Sequence, residues 1–152
     1  MMKKTFFILL FFISSCGYQP IYLNKSLKNF EFKKVNLDGD NYVNRKIINI
    51  LSIKENEDIE SKNEFFLSSS FIIKEISKDS KGQTDLYKNI INVNLDIKNI
   101  DSGTVKSKNF TREFTYNNKK NKFDLVEYQN SIKDNLIDKI INDIIIYLNS
   151  EW

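Results

Sequence analysis

Residues 91–98 read INVNLDIK, with Ile91, Val93, Leu95 and Ile97 on one side and Asn92, Asn94, Asp96 and Lys98 on the other. A strict period of two with one apolar side is the pattern of an antiparallel strand with one dry face and one wet face. The dry face has to be covered by another element, and the end of the chain offers one. Over residues 124–148, Ile132, Leu136, Ile140, Ile144 and Tyr147 recur at helical spacing, and Ile137, Ile141, Ile145 and Leu148 form a neighbouring row. Together they predict one long helix with a wide apolar stripe suited to packing on a sheet, with Asp134, Asp138, Lys139 and Asp143 on its polar side.

The rest of the chain fits around this pair. Residues 30–37, FEFKKVNL, alternate imperfectly and read as a first strand, with Phe30 and Phe32 on one face. Asp38-Gly39-Asp40 reads as a turn, and Asp40 as the N-cap of a helix over residues 41–53 that places Val43, Ile47, Ile50 and Leu51 in one stripe. Residues 54–63 are charged and read as a loop. Residues 64–77, EFFLSSSFIIKEIS, read as a long strand. In it Phe65, Leu67, Phe71 and Ile73 share one parity, and Phe66, Ile72 and Ile76 share the other. Two readings stand for a strand apolar on both faces: a central strand covered on both sides, or one with an exposed interaction surface. A polar turn (78–85), the alternating strand (86–98), a turn at Asp101-Ser102-Gly103-Thr104 and a strand over 105–116 follow, the last with Phe110, Phe114 and Tyr116 on the face of Arg112. The order β-α-β-β-β-α predicts an α+β fold, a two-layer sandwich of two amphipathic helices packed on a four-stranded sheet. Its long middle strands, joined by short turns, can project beyond the helical layer.

The start of the chain is of a different kind. Lys3 and Lys4 precede an unbroken apolar run, Phe6 to Ile13, which ends in Ser14, Ser15 and the only cysteine, Cys16. A charged start, a short apolar run and small residues before a cut describe a secretory signal peptide. The run is too short to span a bilayer, which takes about 20 residues. The site Ile13-Ser14-Ser15-Cys16 resembles a bacterial lipobox, in which the cysteine becomes the first mature residue and its sulfur takes a diacylglyceryl group. The plainer alternative for Cys16 is a small buried hydrophobe, but an unpaired thiol in an exported protein is a reactive liability that lipidation removes. One acyl chain holds a protein to a membrane only marginally, and two or three hold it lastingly. Gly17 rather than Asp follows the cysteine, which favours sorting to the outer membrane where Asp is the retention signal. The expected organisation is a signal peptide over 1–15, an acylated N-terminus and linker over 16–29, and a single domain over 30–150.

Composition excludes several chemistries. The sequence has no histidine, and after lipidation no free cysteine, so zinc sites and nucleophilic mechanisms built on these residues are not expected. No calcium loop pattern is present; Asp38-Gly39-Asp40-Asn41 lacks the following ligands. The net charge is +3 for 152 residues, and removing residues 1–15 leaves 152 − 15 = 137 residues with 23 − 2 = 21 basic and 20 acidic side chains. Both signs are interspersed, so no nucleic-acid partner is expected. Glu55, Glu57, Asp58 and Glu60 cluster in a charged loop without an aromatic or glycine cradle, a poor basis for a hydrolase. No catalytic residue, cofactor or metal is expected. Lys74, Lys78, Lys81 and Lys88 gather around the first hairpin tip, where phosphate pairing is chemically reasonable; lysine is so common here that solvated surface is the plainer reading.

From the cysteine onward the chain reads Cys16-Gly17-Tyr18-Gln19-Pro20-Ile21-Tyr22, which resembles the C-G-[FY]-x-P-[LI]-Y opening of the LPS-assembly lipoproteins, the LptE family of Gram-negative bacteria. The element order, the Asp101-Ser102-Gly103 turn, the Tyr116-Asn117 pair and the long closing helix are similar too, so the resemblance covers essentially the whole chain; the seven residues from Cys16 are its most specific part. The last helix departs from the family, carrying Asp, Asn and Ile where small residues and arginines are common. The resemblance implies an outer-membrane lipoprotein seated partly in the lumen of an LptD-like β-barrel, plugging it, supporting its assembly and helping insert lipopolysaccharide into the outer leaflet. It implies cationic contact with lipid A phosphates as an option and no covalent chemistry. The alternative is a periplasm-facing lipoprotein subunit of another envelope machine, such as a lipid transporter.

Overall fold

The computed structural model describes residues 30–151, apart from 59 and 61. The expected signal peptide, Cys16, the linker and the CGYQPIY stretch lie outside the described residues. The described elements are β1 (Glu31–Phe32), β2 (Lys34–Gly39), α1 (Asn41–Leu51), β3 (Lys54–Glu55), β4 (Asn63–Lys78), β5 (Thr84–Asn99), β6 (Val105–Asn117) and α2 (Lys122–Glu151). The main sheet runs β2-β4-β5-β6, and β1 pairs separately with β3. β2 lies parallel to β4, as a connection through a helix allows, while β4–β5 and β5–β6 are antiparallel hairpins. Both helices lie on one face of the sheet, so the fold is the expected α+β two-layer sandwich, with one parallel edge making the sheet mixed.

Two local differences from the sequence reading have physical causes. The first strand is broken at Lys33, whose N–H donates to the Asn63 carbonyl at 2.9 Å. The bend moves the core-facing side from even to odd numbers: Phe32 is buried in β1, while in β2 half-buried Val35 pairs with core residue Phe65, and Leu37, 45% exposed at the sheet edge, pairs with Leu67. That change of parity is why FEFKKVNL alternates imperfectly. The charged stretch after α1 also holds β3, because Lys54 and Asn56 donate to the carbonyls of Phe30 and Phe32 at 3.0 and 2.9 Å.

Asp40 caps α1 as expected, its Oδ1 accepting from Val43 N–H at 2.9 Å. The helix buries Val43, Ile47 and Leu51 against the sheet. Ile91, Val93, Leu95 and Ile97 of β5 are buried under α2, whose Ile137, Ile140, Ile141 and Ile144 are fully buried. Phe65 of β4 joins them, tilted against Phe32 with ring centroids 4.9 Å apart. The alternation in 91–98 and the double row on the last helix are therefore the two halves of one core.

Candidate interaction surfaces

β4 changes character along its length. Phe65, Leu67 and Ser69 are buried, whereas every residue from Ile72 to Lys78 is exposed. The reason is the length of the neighbours. β2 pairs with β4 only as far as Ser69, and α1 starts there and runs back along the sheet. Beyond that point β4 runs on as an arm along the open edge of the sheet, paired with β5 on its inner side only, while β5 stays covered by β6 and α2; Ile72, Ile73 and Ile76 of this edge are at 41%, 41% and 47% exposure. The arm is irregular near its end, where the register shifts between Glu75 and Ser77. Of the two readings left open for this strand, full cover on both sides is excluded for its second half. β4 and β5 each hold 16 residues, and at about 3.3 Å per residue such a strand runs about 50 Å. The described chain begins at Phe30 near the start of β4, so the hairpin tip lies at the far end of the molecule from that entry.

The tip carries the lysines singled out in the sequence. Lys88 pairs with Glu113 at 2.9 Å, and Lys78 lies 3.9 Å from Glu75. Lys74, Lys78 and Lys81 are exposed. Close by, a cleft of about 640 Å³ is lined by Asp79, Asp85, Tyr87, Lys119, Lys120 and Lys122. Lys119 sits over the Tyr128 ring at 4.2 Å, and Phe123 at the start of α2 is 75% exposed. This end thus mixes exposed apolar side chains with charges of both signs.

The second surface is the sheet face away from the helices. Its rows follow from the register: Asn36–Phe66–Asp96–Ser107, Asp38–Ser68–Asn94–Asn109, and Ser70–Asn92–Thr111. Thr111 Oγ1 donates to Asn92 Oδ1 at 2.9 Å, and Asn94 Nδ2 donates to Asp96 Oδ2 at 3.1 Å. Among the described residues, one buried side-chain oxygen lacks a hydrogen-bond partner, Asp96 Oδ1.

The helix layer is held by charges that no local sequence signal marks. Lys46 of α1 bridges Asp134 and Asp138 of α2 at 2.9 and 3.0 Å, and Tyr42 donates to Asp134 at 2.7 Å. Lys133 of α2 reaches the cap residue Asp40 at 3.1 Å and lies over the Phe71 ring at 4.5 Å. Burial pulls Asp40 upward, but the Val43 N–H and Lys133 outweigh it and hold it below the ordinary carboxylate value. Asp134 is likewise lowered, burial being outweighed by hydrogen bonds from Tyr42 and Lys46. The hydrogen bond to Asp134 raises Tyr42. On the other flank Arg112 pairs with Asp143 at 2.5 Å, which fixes α2 over β6. Below it, Tyr116 donates to the buried Asn89 at 2.7 Å.

The acidic loop residues do not come together as a site. Glu55 accepts from Val35 N–H at 2.8 Å, which ties β3 to β2. Among the described residues no three His, Cys, Asp or Glu side chains are grouped to hold a metal ion, and no helix is long and apolar enough to cross a membrane.

No family model matches the sequence, and no curated protein matches it. The fold does have solved counterparts. Rare lipoprotein B from Shewanella oneidensis is similar with a TM-score of 0.57 and 10% identity, over 77% of this chain and 94% of that one. An uncharacterized lipoprotein B from Nitrosomonas europaea is similar with a TM-score of 0.51 and 9% identity, over 76% of this chain and 82% of that one. At such identities the likeness is one of fold: this chain folds as those two bacterial lipoproteins do.

Proposed function

We propose that this protein is an outer-membrane lipoprotein, anchored through Cys16, that plugs and supports the assembly of a lipopolysaccharide-translocating β-barrel. The observation that carries the reading is the arm. The second half of β4 has no neighbour on its outer edge and exposes Ile72, Ile73 and Ile76, on its two faces, about two-fifths or more, an apolar open edge of the kind that marks an interaction site. The lipobox and the CGYQPIY opening support the anchor and the envelope address, and the fold's solved counterparts named above are bacterial lipoproteins. The chain enters the described domain at one end and the arm points to the other, as suits a domain tethered to the inner leaflet and reaching along a barrel lumen. In this reading the exposed Lys74, Lys78 and Lys81 at the arm's end supply cationic groups for the phosphates of lipid A.

Depletion tests the reading. Loss of this protein is expected to lower the amount of folded barrel in the outer membrane and the lipopolysaccharide exposed at the surface, with both restored by the native chain and not by one carrying Cys16→Ala. Unchanged barrel and surface lipopolysaccharide on full depletion would refute it. The same depletion would support an accessory role in another envelope machine if inner-leaflet lipid transport failed instead.

A further inference from the structure

The open sheet face has a composition that solvation alone does not call for. In the three middle rows the only charged residues are Asp38 and Asp96, both negative, in a chain whose overall charge is positive. The rest are short amides and hydroxyls, with Phe66 half-buried at one end, and Ile90 half-buried beside exposed Ile72 at the other. Lysines on this face are confined to its outer rows, Lys34 and Lys98 at one end and Lys74 and Lys88 at the other. The face is also large. Counted over the full length of the three long strands, outer rows included, it offers about 700 Å², and its lysine-free centre about 300 Å² of that, against the roughly 800 Å² that one partner contributes to a stable interface. A polar centre between small apolar anchors is what the polar inner wall of a wide barrel would meet.

We infer that this open face, from Phe66 and Ile72 across Ile90 and Asp96 to Thr111, is the side laid against the barrel wall, and that Asp38 and Asp96 receive basic side chains from it. The inference rests on the barrel-plug reading and adds to it which face is docked and which charges the wall supplies. Asp96 is equipped for this role: Asn94 holds one carboxylate oxygen, and the other has no donor within the described chain. The helix side of the molecule is the poorer candidate, since Lys46, Lys133 and Arg112 there are already committed to Asp134, Asp138, Asp40 and Asp143.

The test is site-specific photocrosslinking of the full lipidated protein in its native membrane. A photoreactive side chain is placed at Ser68 or Thr111 on the open face, or at Lys139 on the outer side of α2, all three being exposed. Crosslinks to one large barrel from Ser68 and Thr111, at least tenfold stronger than from Lys139, are expected. In parallel, Asp96→Lys is expected to cut the barrel recovered with the protein at least tenfold without moving its melting temperature. Crosslinks to the barrel from Lys139 alone would overturn the choice of face and leave the plug reading standing. Crosslinks from Ser68 and Thr111 into residues 17–29 or a second copy of this chain would overturn it as well. No barrel from any position would sink the inference and the reading together.

Discussion

Gly39 is the point where the sheet and the first helix depend on a missing side chain. Its φ is +86°, and a Cβ there would stand 1.9 Å from the carbonyl oxygen of Ser69. That carbonyl is fixed: it accepts from Asp40 N–H at 3.0 Å, and the Ser69 hydroxyl donates to Asn44 Oδ1 at 2.7 Å. Gly39→Ala therefore suffers two separable penalties. The left-handed backbone costs about 1–2 kcal/mol for a residue with a Cβ. Relieving the contact means pulling β2 from β4, which gives up two hydrogen bonds of about 1 kcal/mol each. The expected loss is about 3–4 kcal/mol, or a fall of roughly 10–15 °C in Tm for a domain of this size. Gly82 is the control. It too has positive φ, +78°, but a Cβ there meets nothing within 4 Å, so Gly82→Ala carries only the backbone penalty of about 1–2 kcal/mol. Urea unfolding followed by circular dichroism, on the chain lacking residues 1–15 and carrying Cys16→Ala, measures both. Equal losses for the two variants, within 1 kcal/mol or so, would refute the claim that close approach to Ser69 rather than backbone conformation fixes this glycine.

Asp40→Ala should cost about 2 kcal/mol, about 1 from the lost cap and the rest from stranding Lys133; Asp40→Asn, which caps as well as Asp, should cost about half as much, and equal losses in denaturant melts would contradict the pairing. Acid should unfold the domain: Asp40 and Asp134 lie below their ordinary value of 3.8 when folded, so their stabilisation is present above that value and lost as pH falls through and below it. Unfolding midpoints should hold steady from about pH 5 to pH 8 and drop below about pH 4, and the Asp134→Asn variant should show a shallower drop than the native chain. Phe65→Ala, at a fully buried position, should lose about 3–5 kcal/mol, whereas Ile76→Ala on the arm should change Tm by no more than 2–3 °C or so.

The parts of the fold that were readable in the sequence are those set by residues near one another in the chain. INVNLDIK announces a one-sided strand because every second residue is apolar, and residues 124–148 announce a helix because their isoleucines recur every three or four. Asp40 is recognisable as a cap from its place between a glycine turn and an apolar stripe. Legibility failed where geometry changed in mid-element. At Lys33 a bend swaps the buried parity, so Phe32 and Val35 both face the core although three residues apart. It failed again for contacts made at long range. Tyr42 and Lys46 meet Asp134 some ninety positions away, at separations of 92 and 88 residues, and nothing beside them in the sequence marks the pairing. The arm was half legible: the two apolar faces of residues 64–77 are plain in the sequence, but only the short reach of β2 and α1 shows that the second half of β4 is left uncovered. The open face was legible as the wet side of β5, and its large, nearly lysine-free centre emerged only from the register across β4 and β6.

The central claim is a barrel partner, and the most direct measurement is crosslinked affinity purification of the tagged full-length protein from its native membrane, with the partners identified by mass spectrometry. One large outer-membrane β-barrel of the lipopolysaccharide-assembly type is expected as the dominant partner. Recovery of an inner-membrane transporter in its place, or of no barrel at all, would contradict it and would leave the likeness of CGYQPIY to the LPS-assembly lipoproteins a coincidence.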